Sequence, residues 1–143
     1  MRKVMIAPAL AIVMGLAGSS AVSMQASGSK SIEIVRTGKT LSGQELKLPQ
    51  GKAEMMASSV EIAAGGHTTI HQHPWSRFVY VERGPLRITN EDTKQVDELQ
   101  TGQVFAEVIA QWHQGYAPGP QGARVVVIDL VPPGATNMVM KKP

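Results

Sequence analysis

The sequence contains no cysteine. That absence excludes disulfides, thiolate metal ligands, a cysteine nucleophile and a lipid anchor on cysteine. It fits an oxidising compartment without requiring one. Aromatic residues are scarce: two Phe, two Trp and two Tyr in 143 residues. A core must therefore be assembled from Val, Ile, Leu, Ala and Met. Runs of like charge are also missing, and the formal net charge is only +3. Setting aside Arg2 and Lys3, which belong to the leader described below, 12 basic residues face 11 acidic ones. A balance so close to neutral offers no electrostatic basis for nucleic acid or an anionic membrane as partner. No GxSxG elbow or glycine-rich phosphate loop occurs. No stretch after residue 30 carries a long helical period with caps.

Residues 1–23 read as a secretory signal peptide. Arg2 and Lys3 supply the positive start, Val4 to Leu16 is apolar apart from Pro8 and Gly15, and small residues follow from Ala17 to Ala21. Cleavage is expected after Ser23, with Ala26 as the other candidate. The apolar run falls short of the ~20 residues that a membrane span needs. The mature chain is expected to be exported, and periplasmic where the cell has two membranes.

Two regions are expected after the leader: an N-terminal extension, residues 24–50, with an edge strand, and a barrel with its C-terminal tail, residues 51–143. The extension's strand is Ser31–Arg36, whose SIEIVR alternates apolar with polar. Further strands are expected at Glu54–Ala63, Phe78–Glu82, Leu86–Thr89, Val104–Val108 and Arg124–Val131. In the last, four β-branched residues stand in a row, Val125 to Ile128. Turn signals separate these runs, among them Gly65-Gly66, Gly84-Pro85, Thr101-Gly102 and Pro132-Pro133-Gly134. Gly43–Gly51 has room for one turn of helix, limited by Pro49. Many short strands at this spacing give an all-β domain, a sandwich or barrel.

Chemistry concentrates on histidine. His71 and His73 are spaced i, i+2, which on a strand puts both rings on one face. Such a pair makes half of a metal site and needs at least a third ligand. His113 is the remaining candidate once His67, at the Gly65-Gly66 turn, is read as solvated.

The spacing around these histidines resembles the cupin family. Gly65 is followed by five residues, His71-Gln72-His73, three residues, Arg77, six residues and Gly84. Gly102 is followed by five residues, Val108-Ile109-Ala110, two residues, His113, three residues and Ala117. Gly65, Gly84, Gly102 and the three histidines fall in the family's register over about residues 55–131, while Val108, Ala110 and Ala117 stand where its second motif has Pro, Gly and Asn. The resemblance implies a double-stranded β-helix, the cupin jelly-roll barrel, with one divalent metal ion (iron, manganese, zinc, nickel or copper) near its mouth. It also implies a homodimer paired through edge strands.

Arg77 stands where the family carries a glutamate ligand, and a guanidinium does not bind a cation. Three readings are open. Arg77 grips a substrate carboxylate beside a three-histidine site. Glu107, on the strand that leads to His113, replaces the lost ligand. Or Arg77 pairs with Glu107 and no metal binds. Trp75, Trp112 and Tyr80 flank the histidine strands and complete the expected substrate pocket with Arg77. The ligand is expected to be a small anionic molecule. Two functions are compatible with that pocket: a metal-dependent dioxygenase or isomerase acting on a small organic acid, and a non-catalytic metal- or small-ligand-binding module.

Overall fold

The computed structural model describes residues 28–142, so the expected signal peptide, 1–23, lies outside the described residues. The chain divides into two compact units, Met1–Ile32 and Glu33–Pro143. The described residues of the first, 28–32, are exposed and form no strand. The nine strands among the described residues belong to the second: β1 (Glu54–Ile62), β2 (His71–Gln72), β3 (Arg77–Arg83), β4 (Leu86–Asn90), β5 (Val96–Leu99), β6 (Val104–Ala106), β7 (His113–Tyr116), β8 (Ala123–Val131) and β9 (Val139–Met140). No helix occurs among the described residues.

The strands form two antiparallel sheets, ordered β1-β8-β3-β6 and β5-β4-β7-β2-β9. The fold is the all-β double-stranded β-helix expected from the sequence. Its spine is β8, whose nine residues alternate buried and half-buried without a break. Alternation follows from the two-residue period of a strand. The residues of the buried phase, Ala123, Val125 and Val127, meet Val79 and Val81 of β3, Leu86 and Ile88 of β4 and Phe105 of β6 in one core that draws on both sheets. Aliphatic side chains thus do the work that aromatics do in most domains.

Two turns show why the glycines fall where they do. Gly102, between β5 and β6, has φ of 88°, a left-handed conformation that glycine adopts without strain. Gly122, before β8, has φ of 69°, and a Cβ there would lie 2.3 Å from the Ile62 carbonyl oxygen. No side chain fits that approach.

Three expectations need correction. Ser31–Arg36 forms no strand and is exposed throughout. Alternation alone does not make a strand when no neighbouring strand accepts its hydrogen bonds. Gly43–Gly51 forms no helical turn. Instead, residues 40–47 are fastened to the barrel: Leu41 N–H donates to the Ala106 carbonyl, Gln44 Nε2 to the Ile109 carbonyl and Ser76 Oγ to the Lys47 carbonyl. The run Val104–Val108 is strand only to Ala106, and Glu107 begins the connection to β7. Four strands had no counterpart in the sequence reading. Two of them, β2 and β9, are two residues long.

Candidate metal centre

Register brings the histidines together. In the sheet containing β7, β2 and β9, His71 stands directly opposite His113 on one side and Met140 on the other. Opposed residues of an antiparallel pair project to the same face. His73, two residues along the chain, joins them through a bridge between His73 and Ile109. The three ring centroids lie 4.5 to 5.0 Å apart. All three rings are buried, and one nitrogen of each lies within 4.8 Å of the others'.

Each ring is oriented by a backbone carbonyl. Nδ1–H donates to Thr69 in His71 (2.6 Å), to Asn137 in His73 (2.5 Å) and to Gln111 in His113 (2.9 Å). A carbonyl oxygen only accepts, so the proton of each neutral ring sits on Nδ1 and Nε2 keeps a free lone pair. This is how metal-binding imidazoles are commonly fixed. The Nε2 atoms of His73 and His113 are buried and have no hydrogen-bond partner. Such orphans are uncommon in folded proteins and call for an explanation.

Glu107 reaches the same point. Its carboxylate lies 3.0 Å from His73 Nε2 and 3.7 Å from His113 Nε2. The shorter approach makes no hydrogen bond, and His73 Nε2 stays unsatisfied. Burial acts to raise the Glu107 carboxyl, yet the imidazoles of His73 and His113 and the Arg77 charge outweigh it and hold the group down at about 2. Burial pushes His71 down to about 4 and lowers His113 as well. The site therefore offers the Nε2 atoms of Nδ1-anchored imidazoles and one carboxylate, the donor set that suits a divalent transition metal. The orphaned nitrogens and this donor set fit such an ion.

Arg77 has a partner that none of the three sequence readings named. Its Nε and Nη2 donate to the two carboxylate oxygens of Asp129 at 2.7 and 2.8 Å, and both side chains are buried. The two residues are directly opposed on β3 and β8. Arg77 meets Glu107 only through the backbone, its carbonyl accepting from Glu107 N–H. Asn137 extends the network: its Nδ2 donates to Asp129 and its Oδ1 accepts from Trp75 N–H, while its carbonyl orients His73.

A cavity of about 100 Å³ adjoins the site. His71, Arg77 and Glu107 lie on its wall, and most of the remainder is aliphatic. The other expected pocket residues are elsewhere. Tyr80 is 39% exposed, on the opposite face of β3 from Arg77 and Val79. Trp75 and Trp112 are half-buried and do not line the cavity. Trp112 instead lies under the Lys141 ammonium, 5.8 Å from its ring centroid.

Sequence reasoning missed Asp129, Asn137, Met138 and Met140. Asp129 carried a signal: in ARVVVIDLV it falls on the same phase as Val125, Val127 and Val131, so an inward-facing carboxylate was readable. Asn137 acts partly through its backbone, which leaves no trace in sequence.

The family model described as a Cupin domain matches residues 58–129, half of the chain. No curated protein sequence matches. Solved structures with this fold include a protein of Bacillus halodurans (19% identity, TM-score 0.50, covering 58% of this chain and 68% of that one). A Klebsiella pneumoniae protein with a double-stranded β-helix domain aligns at 17% identity and TM-score 0.51, over 68% of this chain and 91% of its own. The oxalate decarboxylase of Lactobacillus farciminis, solved as a formate complex, aligns at 22% identity and TM-score 0.52, over 60% of this chain and 26% of its own.

Proposed function

This chain belongs to the cupin family, and on that premise we propose that it is an exported metal-binding cupin acting on a small organic acid, as a dioxygenase or an isomerase. The observation that carries the metal is the set of three rings whose Nδ1 atoms are all committed to backbone carbonyls, leaving the buried Nε2 atoms of His73 and His113 without partners. His71, His73 and His113 hold the ion, and Glu107 is the fourth ligand in place of the carboxylate that Arg77 displaced. When bound, the ion supplies Lewis-acid polarisation of a ligand oxygen. Asn137 keeps His73 in its tautomer, and Asp129 neutralises Arg77 so that the guanidinium does not repel a cation.

Metal content of untagged mature protein tests this reading by mass spectrometry. The wild type is expected to retain near one equivalent of one ion. His113→Ala and Glu107→Gln are expected to lose it to similar degrees, by more than the roughly 10–100-fold in affinity that an outer-shell change costs. Full metal in Glu107→Gln would remove the carboxylate from the ligand set.

A second reading, a non-catalytic binding module, is favoured by one observation. The titratable side chains on the cavity wall are His71, Arg77 and Glu107. With two of them ligands and the third tied to Asp129, no free general acid or base remains among the described residues lining the cavity. Oxygen uptake or substrate turnover separates the two readings.

Export rests on the leader at residues 1–23, and fractionation of cells tests it. Pairing as a homodimer is supported by β1, which is bonded along one edge only and exposes Met55. Exposed edges are usually covered, and light scattering reads the outcome.

A further inference from the structure

The cavity beside the histidines has two unlike ends. At one end stand His71, Glu107 and Arg77. The rest is walled chiefly by Ile62, Val79, Leu86, Ile88, Val125 and Val127, with Met138 and Met140 from the C-terminal segment. Its other polar side chains are Thr68, whose hydroxyl already accepts from the Gly115 N–H, and Thr69, which is exposed. The volume of about 100 Å³ is smaller than the ~150 Å³ cavity that holds benzene. The enclosed space therefore suits a ligand of about six non-hydrogen atoms.

Charge narrows the choice further. Asp129 cancels Arg77, and Glu107 cancels half of a bound dication. One positive charge remains for the ligand to meet. A second ionised group on the ligand would lie against aliphatic side chains with nothing to pair it, a costly placement. From these features we infer that the ligand is a short aliphatic monocarboxylate of about four carbons. Its carboxylate sits at the His71–Glu107–Arg77 end and its hydrocarbon body lies among the Val, Leu and Ile side chains. The inference rests on the metal-binding reading for the head of the ligand, and on the aliphatic wall alone for its body.

Gly115 sets the length of that body. It follows His113 by two residues on β7, so it shares that residue's face. A Cβ at Gly115 would meet Ile62 Cδ1 and Leu86 Cδ1 at 3.5 Å and Thr68 Cγ2 at 3.6 Å. All three residues line the cavity, and these are ordinary contact distances. An alanine there keeps the fold and takes the space of about one carbon.

Calorimetric titration of the metal-loaded protein with acetate, propionate, butyrate, pentanoate and hexanoate tests the inference, with succinate as the doubly charged counterpart of butyrate. Affinity is expected to rise roughly fourfold per added methylene up to butyrate and then to fall. Succinate is expected to bind at least about tenfold more weakly than butyrate. In Gly115→Ala the optimum moves one carbon shorter while metal content stays at the wild-type value. Affinity independent of chain length, succinate equal to butyrate, or no binding at any length overturns the inference. The same titration on the His71→Ala/His113→Ala variant separates the two readings. Wild-type protein that holds no metal yet keeps the chain-length preference, as the variant then also does, leaves the aliphatic subsite standing and sinks the metal reading alone. Metal retained in wild type with no chain-length preference does the reverse.

Discussion

Two polar clusters share the barrel interior and differ in whether all their buried polar atoms have partners. Arg77, Asp129 and Asn137 form a closed set: each carboxylate oxygen of Asp129 accepts from the guanidinium, and one accepts from Asn137 as well. The histidine cluster, on the other side of the Asn137 carbonyl, is half closed. Its Nδ1 atoms are bound, and the Nε2 atoms of His73 and His113 are not. Both clusters are buried, so both incurred the cost of leaving water. The closed one recovered that cost from its own members, which marks it as architecture. The half-closed one recovers it only from something outside the chain. Unspent bonding capacity, rather than the presence of ionisable groups, distinguishes a binding site from a buried ion pair.

Breaking the closed cluster should give the largest effect. Asp129→Ala leaves Arg77 buried and charged without a partner, and removing one member of a buried pair costs about 3–5 kcal/mol. The urea midpoint is expected to fall by an amount of that size, in chelator and with metal alike. A shift under about 1 kcal/mol would show that Arg77 reaches solvent or another acid at little cost.

The clusters meet at Asn137, and a change there tests whether the closed one supports the open one. Asn137→Ala removes the bonds to Asp129 and to Trp75 N–H but keeps the carbonyl that holds His73. Metal affinity is expected to drop by about 10–100-fold, the usual cost of disturbing an outer-shell partner. Competition with a chelator of known affinity measures it. An unchanged affinity would mean that backbone packing alone orients His73.

How much of this comparison was readable beforehand depends on the kind of residue. The strands β3, β4 and β8 were legible because β-branched and aromatic residues concentrate in short runs bounded by turn signals. His71, His73 and His113 were legible because their spacing between Gly65, Gly84 and Gly102 matches a family pattern. The strands β2 and β9 were not, because two residues carry no period. Nor was β7, whose HQGY is polar and depends on its neighbours for strand structure. The partner of Arg77 was named by none of the open readings, because Asp129 is near Arg77 only through the pairing of β3 with β8. Proximity across a sheet needs the register, and one sequence does not print it.

Acid should expose the half-closed cluster selectively. In metal-free protein the unfolded chain takes up a proton at His71 near 6.5, whereas the folded chain does so only near 4, because burial disfavours the imidazolium. The His113 imidazole is displaced in the same direction. Between those values the unfolded state binds more protons, so stability falls as pH drops through that window. Glu107 adds to the decline only below its unfolded value of 4.5, as pH falls toward the folded value of about 2. Urea midpoints measured from pH 7 to pH 4 should therefore decline, and His71→Gln should flatten the slope. An equal slope in that variant would assign the decline to other groups.

The smallest expected effect lies at the turn that carries His73's neighbour. Ala110 has φ of 52°, in the left-handed region, and its N–H donates to the His73 carbonyl at 2.8 Å. Ala110 occupies the position where the family's second motif has glycine, which explains that preference in physical terms. An L-residue in this region carries a penalty of roughly 1–2 kcal/mol, and glycine escapes it. Glycine also has more freedom to lose on folding, by roughly 0.5–1 kcal/mol. Ala110→Gly should then stabilise the protein by about 0.5 kcal/mol net, visible as a small rise in urea midpoint at unchanged metal content. The sign matters more than the size. A fall in stability would show that the Ala110 methyl packs well enough to repay its strain, and that the turn beside the open cluster is held by contacts rather than by backbone preference.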